Sequence, residues 1–134
     1  MSAGEIRVAI HVDQDIVLAR QKARVLATEL GFSAVDATFV ATAVSELARN
    51  ILAYAGDGEI ILRAVQRSIR KGIEVVASDE GPGIPDIRQA LRDGFSTSGS
   101  LGLGLPGVRR LMDEFEITSQ IDQGTKVTVK KWRQ

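Results

Sequence analysis

A carboxylate that closes an apolar strand, and the glycines that follow it, are the first residues here whose pattern could bind a ligand. The predicted strand covers residues 72–78, and Asp79 shares the parity of its inward-facing apolar residues. Because side chains alternate between the two faces of a strand, the Asp79 carboxylate is directed toward the buried face. Gly81 and Gly83 lack Cβ atoms, so the backbone there can turn sharply or let a flat ligand approach. The stretch predicts either a structural turn or the floor of a ligand pocket.

A second polar pair, Glu46 and Asn50, borders the apolar stripe of a predicted helix. This helix begins at Ser33 or Asp36 and extends to about Tyr54. Residues four apart lie one turn apart on the same side of a helix, and here both border the surface that packs on the sheet. An amide oxygen suits Mg²⁺, and a carboxylate can hold a metal-bound water or accept a proton. An exposed pair with ordinary hydrogen bonds is the alternative interpretation.

A glycine-rich segment with Gly102, Leu103 and Gly104 leads into a third predicted helix. The free amides at such a helix start attract phosphate. The residues before it, 93–100, show neither the helical nor the strand period and predict a loop. Gly102, Gly104 and Gly107 match the dinucleotide fingerprint G-x-G-x-x-G, but that fingerprint requires a strand ending at its first glycine. The loop in that place excludes the dinucleotide interpretation.

The elements that must position these residues follow from apolar periodicity. Alternation predicts a first strand over residues 6–12, and a first helix extends from Asp13 or Asp15 to Leu30, with Gly31 as its stop. The predicted apolar stripe of the second helix consists of Phe39, Ala43, Leu47 and Ile51.

Four further strands are predicted at 59–65, 72–78, 115–120 and 125–131, the first two forming a hairpin with a loop near 67–71. Thr125 shares the parity of the apolar residues in the last strand, so its side chain can point inward. This order predicts an α+β fold, a two-layer sandwich with helices on one face of a mixed five-stranded sheet.

Length and composition restrict the class of protein. We expect one domain over residues 1–134, and the 17 basic and 17 acidic side chains cancel, which argues against a general nucleic-acid binder. The chain has no cysteine, so disulfides and thiolate metal sites are excluded. No uncharged run is long enough to span a bilayer, and we therefore expect a cytoplasmic domain with no membrane contact.

Four sequence elements follow one another along the chain: Glu-x-x-x-Asn on a helix, Asp-x-Gly-x-Gly after a strand, a glycine-rich helix start, and a late Gly-Thr on a strand. This order resembles the Bergerat-type ATP site of the GHKL superfamily, which includes gyrase, Hsp90, MutL and histidine kinases. The resemblance implies that Asp79 accepts a hydrogen bond from the adenine amino group and that Asn50 holds Mg²⁺. It makes Glu46 the catalytic base and a ligand of Mg²⁺ through water.

The resemblance also implies an ATP lid from about residue 85 to 101. The remaining nucleotide-binding residues that it implies are Gly81, Gly83, Ile84, Thr97, Ser98, Gly102, Leu103, Gly104 and Thr125.

Within the superfamily, the stretches 45–50, 79–86 and 93–99 resemble the RsbT-type switch kinases, small serine/threonine kinases that regulate bacterial sigma factors. This resemblance implies a kinase that uses ATP and Mg²⁺ to phosphorylate STAS-domain proteins of the stressosome, of the RsbS and RsbR types. Once released, it would activate a PP2C phosphatase of the RsbU type in general stress signalling.

Two alternatives remain open. The first is an anti-sigma factor kinase that binds a sigma factor directly and phosphorylates its STAS anti-anti-sigma partner. The second is a non-catalytic module whose conformation responds to nucleotide. Glu46 argues against the module, because a site that only binds has little need of a base at that position.

Overall fold

A computed structural model describes residues 4–84 and 104–134 of the chain. The described elements, in chain order, are β1 (Ile6–Ile10), α1 (Asp13–Glu29), α2 (Ala34–Tyr54), β2 (Gly58–Arg67), β3 (Arg70–Asp79), α3 (Gly104–Leu111), β4 (Glu114–Gln120) and β5 (Gly124–Trp132). The predicted loop at 93–100 and the predicted lid at 85–101 lie outside the described residues. None of the helices in the described ranges has the length and apolar character needed to cross a bilayer.

The strands form one sheet in the order β1-β2-β3-β5-β4, and every neighbouring pair is antiparallel. The predicted α+β fold with five strands is confirmed, but the prediction of a mixed sheet is wrong. A parallel pair needs a crossover that carries the chain back to the starting end of the first strand. Between β1 and β2, two successive helices return the chain to the end where β1 finished, so β2 runs in the opposite direction.

One face of the sheet carries the core. Cross-strand partners such as Leu62 and Val75, or Ala77 and Val127, are all buried, and their side chains point to the same side. Apolar residues of α1, α2 and α3 pack in the same cluster. The predicted layer of helices on one face is therefore confirmed.

The start of α2 follows its sequence signal, and three of the four residues of its predicted apolar stripe, Ala43, Leu47 and Ile51, are buried. The Ser33 side chain accepts a hydrogen bond from the Asp36 amide at 3.1 Å, as an N-cap does. Phe39, predicted to be buried, is 37% exposed, and Val40 and Val44 fill the core instead. The Phe39 ring lies at the edge of the stripe, with the Lys131 ammonium 5.6 Å from its centroid.

The hairpin between β2 and β3 is tighter than predicted. Both strands have ten residues, and only Ser68 and Ile69 connect them. Ser68 adopts φ +57°, as a two-residue turn requires. The predicted loop near 67–71 is therefore too long, and the predicted first strand is also too long, because Val12 is the N-cap residue of α1.

The Asp15 carboxylate fixes the start of α1. Its Oδ2 atom accepts the backbone N–H groups of His11, at 2.8 Å, and Val12, at 3.1 Å. These hydrogen bonds hold the pKa of Asp15 below its ordinary value of 3.8, because the ionised carboxylate is the better acceptor. A lowered pKa contributes stability that is complete above 3.8 and is lost as the pH falls toward the folded-state value.

We expect Asp15→Asn to remove this part of the acid dependence. The difference in unfolding temperature between wild type and Asp15→Asn should be largest near neutral pH and should shrink below pH 3.8. Asp13→Asn is the matched control, since the Asp13 carboxylate lies in the same turn and accepts no hydrogen bond from the described residues. Thermal unfolding across a pH series tests this, and a difference that stays constant with pH would contradict it.

Candidate functional site

The carboxylate of Asp79 closes the turn that follows β3. Its Oδ1 atom accepts hydrogen bonds from the backbone N–H groups of Gly81, at 2.9 Å, and Thr125, at 3.3 Å. Thr125 lies directly opposite Asp79 in the β3–β5 pair. Among residues 4–84 and 104–134, no group donates a hydrogen bond to Oδ2. One carboxylate oxygen therefore has a structural role, and the other is available to a ligand.

The glycines around Asp79 allow backbone segments to approach closely. A Cβ atom on Gly81 would lie 2.5 Å from the Ala55 Cβ, and one on Gly83 would lie 2.4 Å from the Gln120 carbonyl oxygen. A Cβ on Gly124 would lie 2.0 Å from the Asp79 carbonyl oxygen. The turn after β3 is thus held between the end of α2 and the β4–β5 hairpin, and it forms the floor of a pocket.

A second hydrogen-bond group lies beside Asp79. The Ser119 hydroxyl accepts the Ile84 amide at 2.7 Å and lies 2.8 Å from the Thr125 hydroxyl. It also lies 3.3 Å from the Gly124 carbonyl oxygen. Ser119 therefore connects the end of the turn to the strand that faces Asp79.

A pocket with mostly apolar walls lies between α2 and the sheet. Its lining residues are Leu47, Asn50, Ile51, Tyr54, Ala77, Asp79, Ile84, Leu105, Thr125 and Val127. Apolar walls with a few polar groups are typical of small-molecule sites. The cavity volume is about 30 Å³, enough for a water molecule, so a flat ring requires the apolar side chains to move apart.

Asn50 and Glu46 lie one turn apart on α2, as predicted, but their surroundings differ. Asn50 lines the pocket together with Asp79, and its side-chain amide has no hydrogen-bond partner among the described residues. Glu46 is buried, so the alternative of an exposed pair is wrong. The carboxylate of Glu46 accepts the Gly104 amide at 3.2 Å through Oε2 and pairs with the Arg49 guanidinium through Oε1.

The start of α3 is therefore capped by a side chain from α2. Gly104 is the first residue of α3, and the positive end of the helix dipole favours the Glu46 carboxylate. Leu105, the next residue, is buried and lines the pocket. The beginning of α3, the polar edge of α2 and the pocket thus form one continuous site.

The structure brings together most of the residues singled out in the sequence. Around the pocket lie Asn50, Asp79, Gly81, Gly83, Ile84 and Thr125, with Glu46 and Gly104 at its α3 side. The predicted ligand-binding residues Thr97, Ser98, Gly102 and Leu103 lie outside the described residues.

A metal at this site would need ligands beyond the protein carboxylates. The described residues contain no group of three or more His, Cys, Asp and Glu side chains that could hold a metal ion. The amide oxygen of Asn50 is the neutral hard donor at the pocket, and Glu46 is the nearest carboxylate on the same helix. Such a donor set suits Mg²⁺ that arrives with phosphate oxygens and keeps several waters.

Sequence reasoning missed Arg49, Tyr54 and Ser119. Arg49 was overlooked because a basic residue on a helix usually faces solvent. An ion pair with Glu46, three positions earlier, is also common on exposed helix surfaces and does not by itself indicate a site. Tyr54 was noted only as the end of α2. Ser119 had a usable signal, because it lies opposite Thr125 once the final hairpin is aligned through its turn.

This fold and site define a class of ATP-binding domain. Residues 11–131 match the family described as "Histidine kinase-like ATPase domain", and the chain belongs to that family.

Among curated proteins, the chain is similar to the serine/threonine-protein kinase RsbT of Bacillus subtilis, with 54% identity over 125 residues. This match covers 93% of this chain and 94% of the relative. It confirms the expected class of enzyme, an ATP-dependent protein serine/threonine kinase. The chain is also similar to the anti-sigma F factor of Caldanaerobacter subterraneus, with 31% identity over 89% of this chain and 86% of that protein.

Solved structures share the fold at low sequence identity. The RsbU and RsbW domains of a Mycobacterium tuberculosis protein give a TM-score of 0.64 at 18% identity, covering 98% of this chain and 34% of that one. The mycobacterial sensor histidine kinase MprB gives a TM-score of 0.58 at 18% identity, and the match covers 98% of this chain and 99% of that one.

The close packing of Gly124 against β3 predicts a large cost for a side chain there. Gly124 and Gly56 both have positive φ, but a Cβ on Gly56 would have no heavy atom within 4 Å. We expect Gly56→Ala to lower the free energy of unfolding by about 1 kcal/mol, from backbone strain alone. Gly124→Ala should lower the free energy of unfolding by about 3 kcal/mol or more, because the clash with the backbone adds to the strain. Urea unfolding measures both, and equal costs would show that this contact does not constrain the site.

Proposed function

We propose that this kinase transfers the γ-phosphate of ATP to a Ser or Thr of a STAS-domain stressosome protein of the RsbS or RsbR type. We further propose that, when released by these proteins, it activates a PP2C phosphatase of the RsbU type. The observation that carries the nucleotide assignment is the shared pocket of Asp79 and Asn50, one carrying a spare carboxylate oxygen and the other a spare amide. The RsbT match over nearly the whole chain supports the choice of partners.

We assign recognition of the adenine ring to Asp79. A carboxylate is an acceptor only, and its Oδ2 suits the amino group of adenine. The amides of Gly81 and Thr125 hold Oδ1, so the carboxylate is fixed in place before any ligand arrives. The apolar side chains Leu47, Ala77 and Val127 supply surfaces for the faces of the ring.

The phosphate end is assigned to Asn50 and to the start of α3. Asn50 would hold Mg²⁺ through its amide oxygen, with Glu46 as a ligand through water. When bound, Mg²⁺ neutralises charge on the phosphates. The amide of Gly104, with those of Gly102 and Leu103, would donate to phosphate oxygens.

Glu46 is assigned as the base that takes the proton from the attacking hydroxyl. In the described structure its two oxygens are engaged, one by the Gly104 amide and one by Arg49. The Gly104 amide is also proposed to donate a hydrogen bond to a phosphate oxygen, so that oxygen would compete with Glu46 for the amide. Phosphate binding would thereby free one carboxylate oxygen, while the Arg49 pair holds the other in position.

We propose that residues 1–134 form a single kinase domain that acts in the cytoplasm. Its apolar residues form one core cluster across the sheet and the described helices, which supports a single domain.

A kinase that binds a sigma factor directly is the second candidate. The similarity to anti-sigma F factors, at 31% identity for the Caldanaerobacter protein, favours it. The RsbT match is stronger, at 54% identity over a larger share of both chains. A pull-down from a bacterial lysate separates the two, since recovery of a sigma factor without STAS proteins or a phosphatase would reject the first candidate.

We expect Glu46→Gln to lower the rate of phosphoryl transfer by about 10²- to 10⁴-fold, the contribution of a general base. Glutamine keeps a side-chain oxygen that can accept from the Gly104 amide or from a metal-bound water, so Mg-ATP affinity should change little, but it cannot take the proton of the attacking hydroxyl. The assay uses radiolabelled ATP and a purified STAS protein. Glu80→Gln is the control, because Glu80 is an exposed carboxylate next to Asp79.

Transfer at the wild-type rate by Glu46→Gln would refute the assignment of the base. If the wild type bound Mg-ATP but transferred nothing to any STAS protein, the non-catalytic module would be the better account.

A further inference from the structure

The turn of the β2–β3 hairpin exposes a large apolar side chain. Ile69 is 91% exposed, more than any other large apolar residue of the described chain. Ser68, the residue before it, has φ +57°, a conformation for which glycine is favoured at the first position of a two-residue turn. Stability of the turn alone would favour glycine followed by a polar residue. The requirements of the turn therefore do not explain the residues that form it.

Basic residues surround Ile69. Arg67 and Arg70 are cross-strand partners on either side of the turn, and Lys71 follows Arg70. Arg133 lies beside them, because its backbone N–H donates to the Lys71 carbonyl oxygen at 2.8 Å. All of these basic residues are exposed. The end of the hairpin thus concentrates positive charge in a chain whose net charge is zero.

Most of this charge has no carboxylate beside it. The Arg67 guanidinium donates to the Glu114 carboxylate at 2.9 Å. Within residues 4–84 and 104–134, no carboxylate forms an ion pair with the other basic side chains, which are Arg70, Lys71 and Arg133. The Arg133 guanidinium donates one long hydrogen bond, to the Leu30 carbonyl oxygen at 3.4 Å. These three side chains are therefore available to acidic groups of another molecule.

The Trp132 ring holds two of the guanidinium groups in place. The Arg67 Cζ atom lies 4.6 Å from the ring centroid, and the Arg70 Cζ atom lies 5.3 Å from it. Trp132 is buried, and its indole N–H donates to Glu114 at 2.6 Å, which fixes the orientation of the ring. The hydrogen bonds from Trp132 and Arg67 hold the pKa of Glu114 below its ordinary value of 4.5, so this carboxylate stays ionised. Guanidinium groups stacked on a ring lose less side-chain entropy when they bind a carboxylate.

The hairpin end lies away from the nucleotide pocket but closer to the proposed base. Strand β3 begins at the hairpin and ends at Asp79, and its ten residues span about 30 Å. Along α2, Glu46 lies about 10 Å from Phe39 at the helical rise. The Phe39 ring lies 5.6 Å from the ammonium of Lys131, the residue before Trp132. A partner of about 100 residues, with a radius of gyration of about 13 Å, can therefore contact the hairpin end and also reach Glu46.

The composition of this surface favours an acidic protein over a membrane. Attachment to anionic lipid uses clusters of about four to eight Lys or Arg side chains, and amphipathic attachment uses several large apolar side chains. Here three basic side chains have no carboxylate partner among the described residues, and Ile69 is the large apolar residue of the turn. A single isoleucine fits a pocket on a protein, with charged groups paired around it.

We propose that the hairpin end, which consists of Arg67, Ile69, Arg70, Lys71 and Arg133, is a docking surface for an acidic face of the protein substrate. Ile69 enters an apolar pocket of that face, and the basic side chains pair with carboxylates around the pocket. Docking there raises the local concentration of the phosphoacceptor hydroxyl at the catalytic site and involves no contact with the nucleotide. The inference rests on the proposed function, since it takes the STAS protein as the occupant.

The test measures kcat and KM for phosphorylation of a purified RsbS-type STAS protein by the whole chain. Lys71→Glu should raise the KM for the STAS protein by about fivefold, because repulsion replaces an ion pair. Ile69→Ser should raise it by about tenfold, because apolar burial is lost. Neither variant should change kcat, the KM for Mg-ATP or the unfolding temperature, since both side chains are exposed in the free protein.

Lys22→Glu is the matched control. Lys22 is an exposed lysine on α1 without a hydrogen bond or ion pair to any described residue, as is Lys71. The change in net charge is the same in both variants, but the KM of Lys22→Glu should stay at the wild-type value. Added salt should raise the KM of the wild type more than that of Lys71→Glu, because salt screens the charges that dock.

Several results would overturn the inference. An unchanged KM for the STAS protein in both hairpin variants would do so, and an equal rise in Lys22→Glu would show an effect of net charge alone. A change confined to kcat or to the KM for Mg-ATP would show a structural disturbance of the catalytic site. The variants could instead keep the wild-type KM but lose activation of the phosphatase, or lose binding to vesicles of phosphatidylglycerol and phosphatidylcholine. Either loss would assign the surface to a different partner.

The failure of this inference can be distinguished from failure of the proposed function. Transfer to the STAS protein by the wild type, together with any of these contrary results, refutes the docking surface alone. A wild type that transfers no phosphate to any STAS protein refutes the proposed function, and the docking surface with it.

Discussion

The double hydrogen bond to one oxygen of Asp79 is the interaction on which the site depends. Oδ1 receives the amides of Gly81 and Thr125, so a single atom joins the end of β3, the turn that follows it, and the neighbouring strand β5. Because these donors come from 2 and 46 positions away in sequence, the bond sets both local and tertiary geometry. Two hydrogen bonds to Oδ1 restrict the rotation of the Asp79 carboxylate and so limit the positions that Oδ2 can take. Less ordering of the acceptor is then needed when a ligand binds, which reduces the entropic cost of binding.

The close packing of glycines maintains this geometry, and α2 links it to the phosphate end. Gly81 lies against Ala55 and Gly124 lies against the backbone of Asp79, at distances that admit no side chain. On α2, Asn50 lines the pocket while Glu46, one turn earlier, caps α3. A rigid helix therefore fixes the spacing between the two polar groups. In the proposed function the sheet recognises the adenine ring and the helices contact the phosphates, and this separation follows from the two layers of the fold.

Local signals predicted much of this arrangement. The parity of Asp79 and Thr125 placed both on the buried face, and the two predicted starts of α2, Ser33 and Asp36, lie on either side of its first residue, Ala34. Properties set by distant contacts could not be predicted in this way. The buried carboxylate of Glu46 depends on Gly104, 58 positions later. The error at Phe39 arose because this residue lies at the edge of the apolar stripe, and the packing of α2 on the sheet decides how far across the stripe burial extends. The sheet was predicted to be mixed because the direction of each strand depends on where the preceding helices return the chain. Two helices between β1 and β2 return it to the end where β1 finished, so this pair is antiparallel.

The most direct test of the central claim is isothermal titration calorimetry of Mg-ATP with wild type and Asp79→Asn. Asparagine keeps an oxygen for the amides of Gly81 and Thr125, so the turn should hold and the unfolding temperature should change little. Its NH₂ group, however, would meet the adenine amino group donor to donor. The account predicts an affinity about 10- to 100-fold lower for the variant, the cost of losing a charged hydrogen bond. Equal heats and equal affinities for the two proteins would contradict it.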